Sequence, residues 1–184
     1  MRVIAGTAKG CKLNSIDDLS TRPTLDRVKE PLFSILQNNI EDANVLDLFA
    51  GSGALGIEAL SRGAKRCTFC DKSYKAMEMI KQNISKTKME EKSTTINMDY
   101  KKCIENLNEK FDIIFIDPPY KKDIAVESLK QIIKYDLLTQ NGIIVLETDE
   151  EKREIEELKQ IIQLEIYDKR KYGRVNLLFL HERG

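Results

Sequence analysis

VLDLFAGSGALGIEAL, residues 45–60, begins as an apolar strand, passes through Gly51, Gly53 and Gly56, and ends in a helical pattern. Strand, glycine turn and helix in succession start an α/β unit, and the G-x-G-x-x-G spacing lets backbone approach a ligand closely. Asp71 lies twenty residues after Gly51, where a dinucleotide fold hydrogen-bonds a ribose hydroxyl, so a dehydrogenase has to be considered. Asp47 argues against it. A carboxylate at the mouth of the glycine loop repels a pyrophosphate and suits a ligand carrying ammonium and sulfonium charges. S-adenosylmethionine has both, and a ribose for Asp71.

Outward from this unit the chain keeps one rhythm. Strand-like runs at Val45–Phe49, Cys67–Asp71, Thr94–Met98, Phe111–Asp117 and Ile143–Glu147 alternate with helical patterns at Ala54–Ser61, Ser73–Lys86, Tyr100–Leu107 and Ala125–Tyr135. That alternation predicts a parallel sheet, with Ser73 as an N-cap. A charged helix is expected over residues 149–160. Leu164–Lys171 and Val175–His181, separated by Tyr172-Gly173-Arg174, read as an antiparallel hairpin.

The run Phe111–Ile116 ends in Asp117-Pro118-Pro119-Tyr120. Open α/β sheets place ligands at this carboxyl end of a strand. The prolines stiffen the turn and leave the Pro118 carbonyl free to accept. Asp117 is a second acceptor, and Tyr120 offers a ring for stacking a base. Two acceptors beside a ring suit an exocyclic NH2 on a nucleobase. The competing reading is a plain strand-ending turn.

A chain of 184 residues is expected to form one domain, 1–184. No apolar run approaches the roughly 18 residues of a membrane span, and the opening is too polar for a signal peptide, which leads to the expectation of a cytoplasmic protein without a membrane partner. Four cysteines fit reduced thiols there. Cys67 and Cys70 form C-x-x-C, but residues three apart on a strand point to opposite faces, so no metal site is expected. His181, in the terminal strand pattern, reads as structural or solvent-facing.

The formal net charge is zero, yet its distribution is uneven. Arg2, Lys9 and Lys12 occur in an opening segment without acids, followed by Arg22, Arg27 and Lys29, while Glu147–Glu157 is strongly acidic. Such a basic side would orient the molecule on a phosphate backbone. Gly6 and Gly10 make the opening read as a small hairpin appendage.

MRVIAGTAKGCKL at the start, TRPTLDRVKEPLF at 21–33, DLFAGSGALGIEALSRGA at 47–64 and DPPY together resemble the bacterial small-subunit ribosomal RNA guanine-N2 methyltransferases, the RsmD family of class I S-adenosylmethionine-dependent enzymes. The resemblance covers nearly the whole chain. It implies a Rossmann-like, seven-stranded, mostly parallel sheet with an antiparallel last strand and an N-terminal β-hairpin extension, residues 1–22, that grips RNA. It implies transfer of methyl to guanine N2 in 16S ribosomal RNA of an assembled or partly assembled small subunit, by a monomer. On this resemblance Asp117, Pro118, Pro119 and Tyr120 are catalytic. Pro23, Thr24, Asp47, Phe49, Gly51, Gly53, Asp71, Asp99 and Tyr100 hold the cofactor, and Arg2, Lys9, Lys12, Arg22 and Arg27 hold RNA. Asp99 and Thr24 have competing readings as helix caps. Pro31 departs from the family, which usually has a helix-compatible residue there, and predicts a kink or restarted helix near Glu30. An adenine-N6 DNA methyltransferase, a protein glutamine methyltransferase and a noncatalytic nucleotide- or RNA-binding module are the alternatives. The first lacks room for a sequence-reading domain, the second more often has Asn at 117, and the third has no need of both Asp47 and DPPY.

Overall fold

The short apolar runs at 45–47, 67–70, 111–116, 143–146 and 175–180 become strands because their branched and aromatic side chains can be buried on both faces of a sheet. The structure, a computed structural model, describes residues 1–15, 22–119 and 123–184, the side chains of 22–26 excepted. Among the described residues, β1 (Asn44–Asp47), β2 (Arg66–Cys70), β3 (Ser93–Ile96), β4 (Phe111–Ile116), β5 (Leu138–Thr148), β6 (Leu164–Tyr172) and β7 (Val175–Glu182) form one sheet in the order β3-β2-β1-β4-β5-β7-β6. The first five strands run parallel, and β7 is antiparallel to both neighbours. The order reverses between β1 and β4, which opens a crevice at the carboxyl ends of the strands there.

The helices are α1 (Arg22–Ile35), α2 (Ala54–Ser61), α3 (Tyr74–Thr87), α4 (Tyr100–Asn106), α5 (Ile124–Lys134) and α6 (Glu151–Leu158). Strand alternation divides the core in two. Val45, Cys67, Phe69, Ile113, Phe115 and Phe179 pack with α1, α2 and α3, whereas Leu46, Cys70, Ile114, Ile116, Ile144 and Leu178 pack with α4, α5 and α6. Cys67 and Cys70 therefore occupy opposite layers. Ser73 caps α3 as expected, its hydroxyl accepting from the Ala76 N–H at 3.2 Å.

Two local expectations change. β5 starts at Leu138, not Ile143, because the strand runs on through Thr139–Gly142 with a register shift against β4 between Phe111 and Ile113. α1 continues through Pro31 without restarting. Its buried stripe of Val28, Leu32, Phe33 and Leu36 holds it against the core, and the Ser34 hydroxyl donates to the Glu30 carbonyl at 2.9 Å within the same turn. The opening segment doubles back as expected: Arg2 and Lys12 form an antiparallel bridge, the Val3 N–H donates to the Cys11 carbonyl at 3.0 Å, the Gly10 N–H to the Val3 carbonyl at 2.9 Å and the Leu13 N–H to the Met1 carbonyl at 3.1 Å.

That segment is held down by α2. Glu58, fully buried, accepts the Ile4 and Ala5 N–H groups at 2.9 and 3.0 Å, Lys29 Nζ at 3.2 Å and Arg62 Nε at 2.8 Å. Ser61 accepts the Ala8 N–H at 2.9 Å and donates to the Ala5 carbonyl at 2.6 Å. Backbone approaches α2 so closely that a Cβ at Gly6 would lie 1.7 Å from the Ser61 carbonyl oxygen, and φ of +81° there also favours glycine. Lys29, expected among the basic surface residues, is instead wholly buried, donating to the Arg2 carbonyl at 2.6 Å and pairing with Glu58.

Candidate active site

All five parallel strands deliver an acid to their carboxyl edge. Asp47 ends β1, Asp71 and Asp117 follow β2 and β4 directly, Asp99 stands just beyond β3, and Glu147 is next to last in β5. Read across the sheet the row is Asp99, Asp71, Asp47, Asp117, Glu147. A cavity of about 590 Å³ opens above it. Among its lining residues are Phe49, Gly51, Asp71, Asp99, Tyr100, Asp117, Pro118, Pro119, Glu147 and Arg174.

The glycine loop is shaped from below. Asp71 accepts the Gly51 N–H at 2.9 Å and the Ser73 N–H at 2.8 Å, so its carboxylate closes the loop while still facing the cavity. Gly51 has φ of +56°, and a Cβ there would point into open space, which leaves backbone bare on the cavity side. Gly53 does not line the cavity: an added Cβ would meet Ile80, Phe69 and Ile57 in the core. Gly56 permits close helix–strand packing, since a Cβ there would fall 2.3 Å from the Phe69 ring.

Asp47 is not at the loop mouth. It is 2% exposed, lies beneath the loop and accepts the Gly56 N–H at 3.1 Å, in the first turn of α2 where N–H groups lack helical partners. Burial pushes its carboxyl up to about 7 against the pull of that N–H, with the Asp117 and Asp71 carboxylates pushing the same way. Alternation at the end of β1 turns the side chain down.

On the far side of the loop, Asp99 accepts the Lys101 N–H at 3.0 Å and caps α4, and its residue also lines the cavity. The Phe49 and Tyr100 rings sit 5.3 Å apart at 43°, forming an aromatic wall. Asn83, buried on α3 and not foreseen, ties this loop to the opening segment: its amide donates to the Ser52 and Asn14 carbonyls at 2.8 and 3.0 Å.

At the other end of the cavity, Asp117 and Pro118 are half-buried and Pro119 is exposed. Burial pushes Asp117 up to about 6, although the residue as a whole keeps some exposure. Burial, then the charge of Asp117, pushes Glu147 up to about 8. Sequence reasoning misses Glu147 because it opens the acidic stretch that precedes α6; its position at the end of IIVL, beside DPP, is the available signal. Arg174, which reads only as a turn residue, also reaches the cavity.

Tyr120 and the side chains of Arg22, Pro23 and Thr24 lie outside the described residues. Arg2, Lys9, Lys12 and Arg27 are exposed away from the cavity lining. Of Lys169, Arg170 and Lys171, the first pairs with Glu151 at 3.5 Å and the second with Asp168 at 3.0 Å. Among the described residues no group of acids, cysteines and histidine is arranged to hold a metal, and no helix is long and apolar enough to cross a membrane.

A family model described as conserved hypothetical protein 95 matches residues 1–181. YlbH of Bacillus subtilis, named as a candidate rRNA methyltransferase, is 37% identical, with 100% of both chains covered. Ribosomal RNA small subunit methyltransferase D of Haemophilus influenzae is 38% identical over 83% of this chain and 80% of its own. The solved structure of yhhF from Escherichia coli, a candidate methyltransferase by its description, superposes with a TM-score of 0.86 at 28% identity, covering 99% of this chain and 97% of that one.

Proposed function

The chain belongs to the conserved hypothetical protein 95 family, that of the small-subunit ribosomal RNA methyltransferases D, and on that premise we propose that it transfers methyl from S-adenosylmethionine to the exocyclic N2 of a guanine in 16S ribosomal RNA. The observation that carries the cofactor is the run Asp99, Asp71 and Asp47 on one side of the sheet edge, beside the bare backbone at Gly51. A low-dielectric cleft in which Asp71, Asp99, Asp117 and Glu147 outnumber Lys72 and Arg174 favours a cationic ligand and disfavours a pyrophosphate. Bound there, S-adenosylmethionine supplies a methyl group on a sulfonium, which leaves as a neutral sulfide without protonation.

The residues divide the cavity. Gly51 leaves backbone accessible, Asp71 offers acceptors to ribose hydroxyls, and Asp99 with the Tyr100 backbone meets an adenine beside the Phe49 and Tyr100 rings. Asp47 acts from beneath, as a charge behind the loop. At the acceptor end, the Asp117 carboxylate and Pro118 carbonyl accept hydrogen bonds from the two N2–H groups and turn the nitrogen lone pair, otherwise delocalised into the ring, toward the methyl carbon. Positioning of this kind is worth roughly 7–11 kcal/mol in favourable cases. Asp117 also stabilises the positive charge that develops on nitrogen, which disappears when the methylated amine releases one proton. Pro119 stiffens the turn, and Tyr120 stacks on the extruded base, worth about 1–3 kcal/mol.

Pro23 and Thr24 close over the methionine end, and Gly53 fixes the loop. The whole chain acts as one domain, with residues 1–22 and Arg2, Lys9, Lys12, Arg22 and Arg27 gripping RNA phosphates. The substrate is a small subunit, partly or fully assembled, met in the cytoplasm by a monomer. The test is transfer of labelled methyl to small subunits and to naked ribosomal RNA lacking the modification, followed by nucleoside mass spectrometry. N2-methylguanine is expected. Efficient formation of N6-methyladenine in DNA, with ribosomal RNA inert in both forms, overturns the proposal.

A further inference from the structure

The acceptor end of the cavity holds more than the turn after β4 requires. Ile116 pairs with Leu146, so the next residues along these parallel strands, Asp117 and Glu147, emerge on neighbouring strands. β5 pairs in turn with β7, Glu147 opposite Leu177 and Thr148 opposite Asn176, which carries the β6–β7 turn and Arg174 to the same edge. The strand order β4-β5-β7 thus lays out carboxylate, carboxylate, guanidinium in a line, at about 4.8 Å per strand. All three residues line the cavity. Neither Glu147 nor Arg174 has a hydrogen-bond or ion-pair partner among the described residues. A half-buried carboxylate without a donor is costly, and enzymes retain such groups where a ligand supplies the partner.

We propose that Glu147 and Arg174 select guanine by its Watson–Crick edge, Glu147 accepting the N1–H and Arg174 donating to O6, beside the amine held at Asp117 and Pro118. The assignment rests on the methyl transfer proposed above and names how the base is chosen. Guanine presents acceptor, donor, donor at O6, N1 and N2, and the line Arg174, Glu147, Asp117 presents donor, acceptor, acceptor. Adenine in the same pose turns a bare N1 lone pair toward Glu147 and its N6 donor toward the Arg174 donor, so the same row disfavours it. A site built to hydrogen-bond a group rejects analogues lacking it far more strongly than an apolar pocket rejects a change of size.

The test uses the full chain and small subunits reconstituted with guanine or 2-aminopurine at the position that mass spectrometry identifies as methylated. 2-Aminopurine keeps the N2 amine but has an N1 acceptor and no O6. Wild type should favour guanine roughly 10–100-fold in kcat/KM. Glu147→Gln should shrink that preference toward the roughly tenfold that Arg174 alone supplies, because its amide can either accept from or donate to N1. Arg174→Ala should lose about tenfold on guanine and little on 2-aminopurine. Both variants should bind S-adenosylmethionine like wild type in calorimetry. Equal use of the two bases by wild type overturns the assignment, as does an Arg174→Ala loss of the same size on both bases, which marks a phosphate grip. Weakened cofactor affinity in Arg174→Ala also overturns it, marking an interaction with the methionine carboxylate. If wild type makes no N2-methylguanine, the proposed activity itself fails. If it does and the variants discriminate as wild type, only the base-reading assignment fails.

Discussion

Glu58 and Glu147 are both carboxylates withdrawn from water, and the chain treats them oppositely. Glu58 has two backbone N–H groups, Lys29 and Arg62 around it, and it joins the opening segment to α2. Glu147 faces a cavity beside Asp117, with another acid in place of a partner, and both carboxyls are held above their ordinary range. Where a charge fastens segments together, the protein neutralises it. At the sheet edge the compensation is left to a ligand, at a cost in stability that a site can carry.

That contrast breaks most visibly at Glu58. Glu58→Ala removes the carboxylate paired with buried Lys29 and takes the acceptor from the Ile4 and Ala5 N–H groups, which should cost about 3–5 kcal/mol and lower Tm by roughly 6–20 °C. Urea and thermal unfolding measure it. Glu147→Gln should leave Tm nearly unchanged at neutral pH, where Glu147 still holds its proton, and raise it toward pH 9, where Glu147 would ionise beside Asp117. Wild-type stability in Glu58→Ala would mean the two carboxylates are equivalent after all.

Activity should show the reverse pattern. Asp117→Ala is expected to lower kcat about 10²–10³-fold, roughly 3–4 kcal/mol, while S-adenosylmethionine affinity in calorimetry and Tm stay near wild type. Asp117→Asn should fall between, keeping an acceptor without the charge. If Asp117→Ala turns over normally, Asp117-Pro118-Pro119 is only a turn.

The sheet is legible in the sequence because its strands are short apolar runs between glycine turns and helical patterns, and because Gly173 marks the final hairpin; φ of +64° there suits the turn that joins β6 and β7. Burial direction is harder to read. Asp47 looks like a cleft residue by spacing, and only the pleat at the end of β1 sends it under the loop to Gly56. Lys29 reads as surface charge until Glu58, distant in sequence, is folded against it. The polar stretch TQNG hides the first half of β5, whose irregular pairing does not follow strict alternation. Glu147 is obscured by the acids after it, and Arg174 by a turn that the topology alone carries to the cavity.

The acidic edge also has a pH signature. Asp47, Asp117 and Glu147, raised to about 7, 6 and 8, hold protons in the native state that the unfolded chain has released. Their contribution is therefore fully present below about pH 4 and fades as pH rises toward 8. The loss should be on the order of 1–2 kcal/mol, less than the sum of independent shifts because neighbouring carboxylates titrate together. Other groups shape the overall curve, so the measurement is a difference: unfolding from pH 5 to 8 should fall less steeply in Asp117→Asn/Glu147→Gln than in wild type. Parallel stability slopes for variant and wild type would remove these carboxyls from the titration.

The smallest effect concerns the segment that Glu58 holds. Its backbone is fastened at Ile4 and Ala5, while Arg2, Lys9 and Lys12 are exposed, and the Arg2–Lys12 bridge sets those two side by side. A fastened backbone with exposed cationic side chains suits an approach to phosphates, which position RNA without reading its sequence. Replacing all three by Ala should change Tm little, since exposed substitutions usually stay within about 0.5 kcal/mol each. Affinity for ribosomal RNA should weaken, and the slope of log K against log salt should flatten by about 2, near 0.7 for each phosphate no longer neutralised. Glu58→Gln at a temperature where it remains folded sharpens the point: it keeps every cation but loosens the anchor. If the triple variant keeps the wild-type salt slope, residues 1–15 serve only to cover α2.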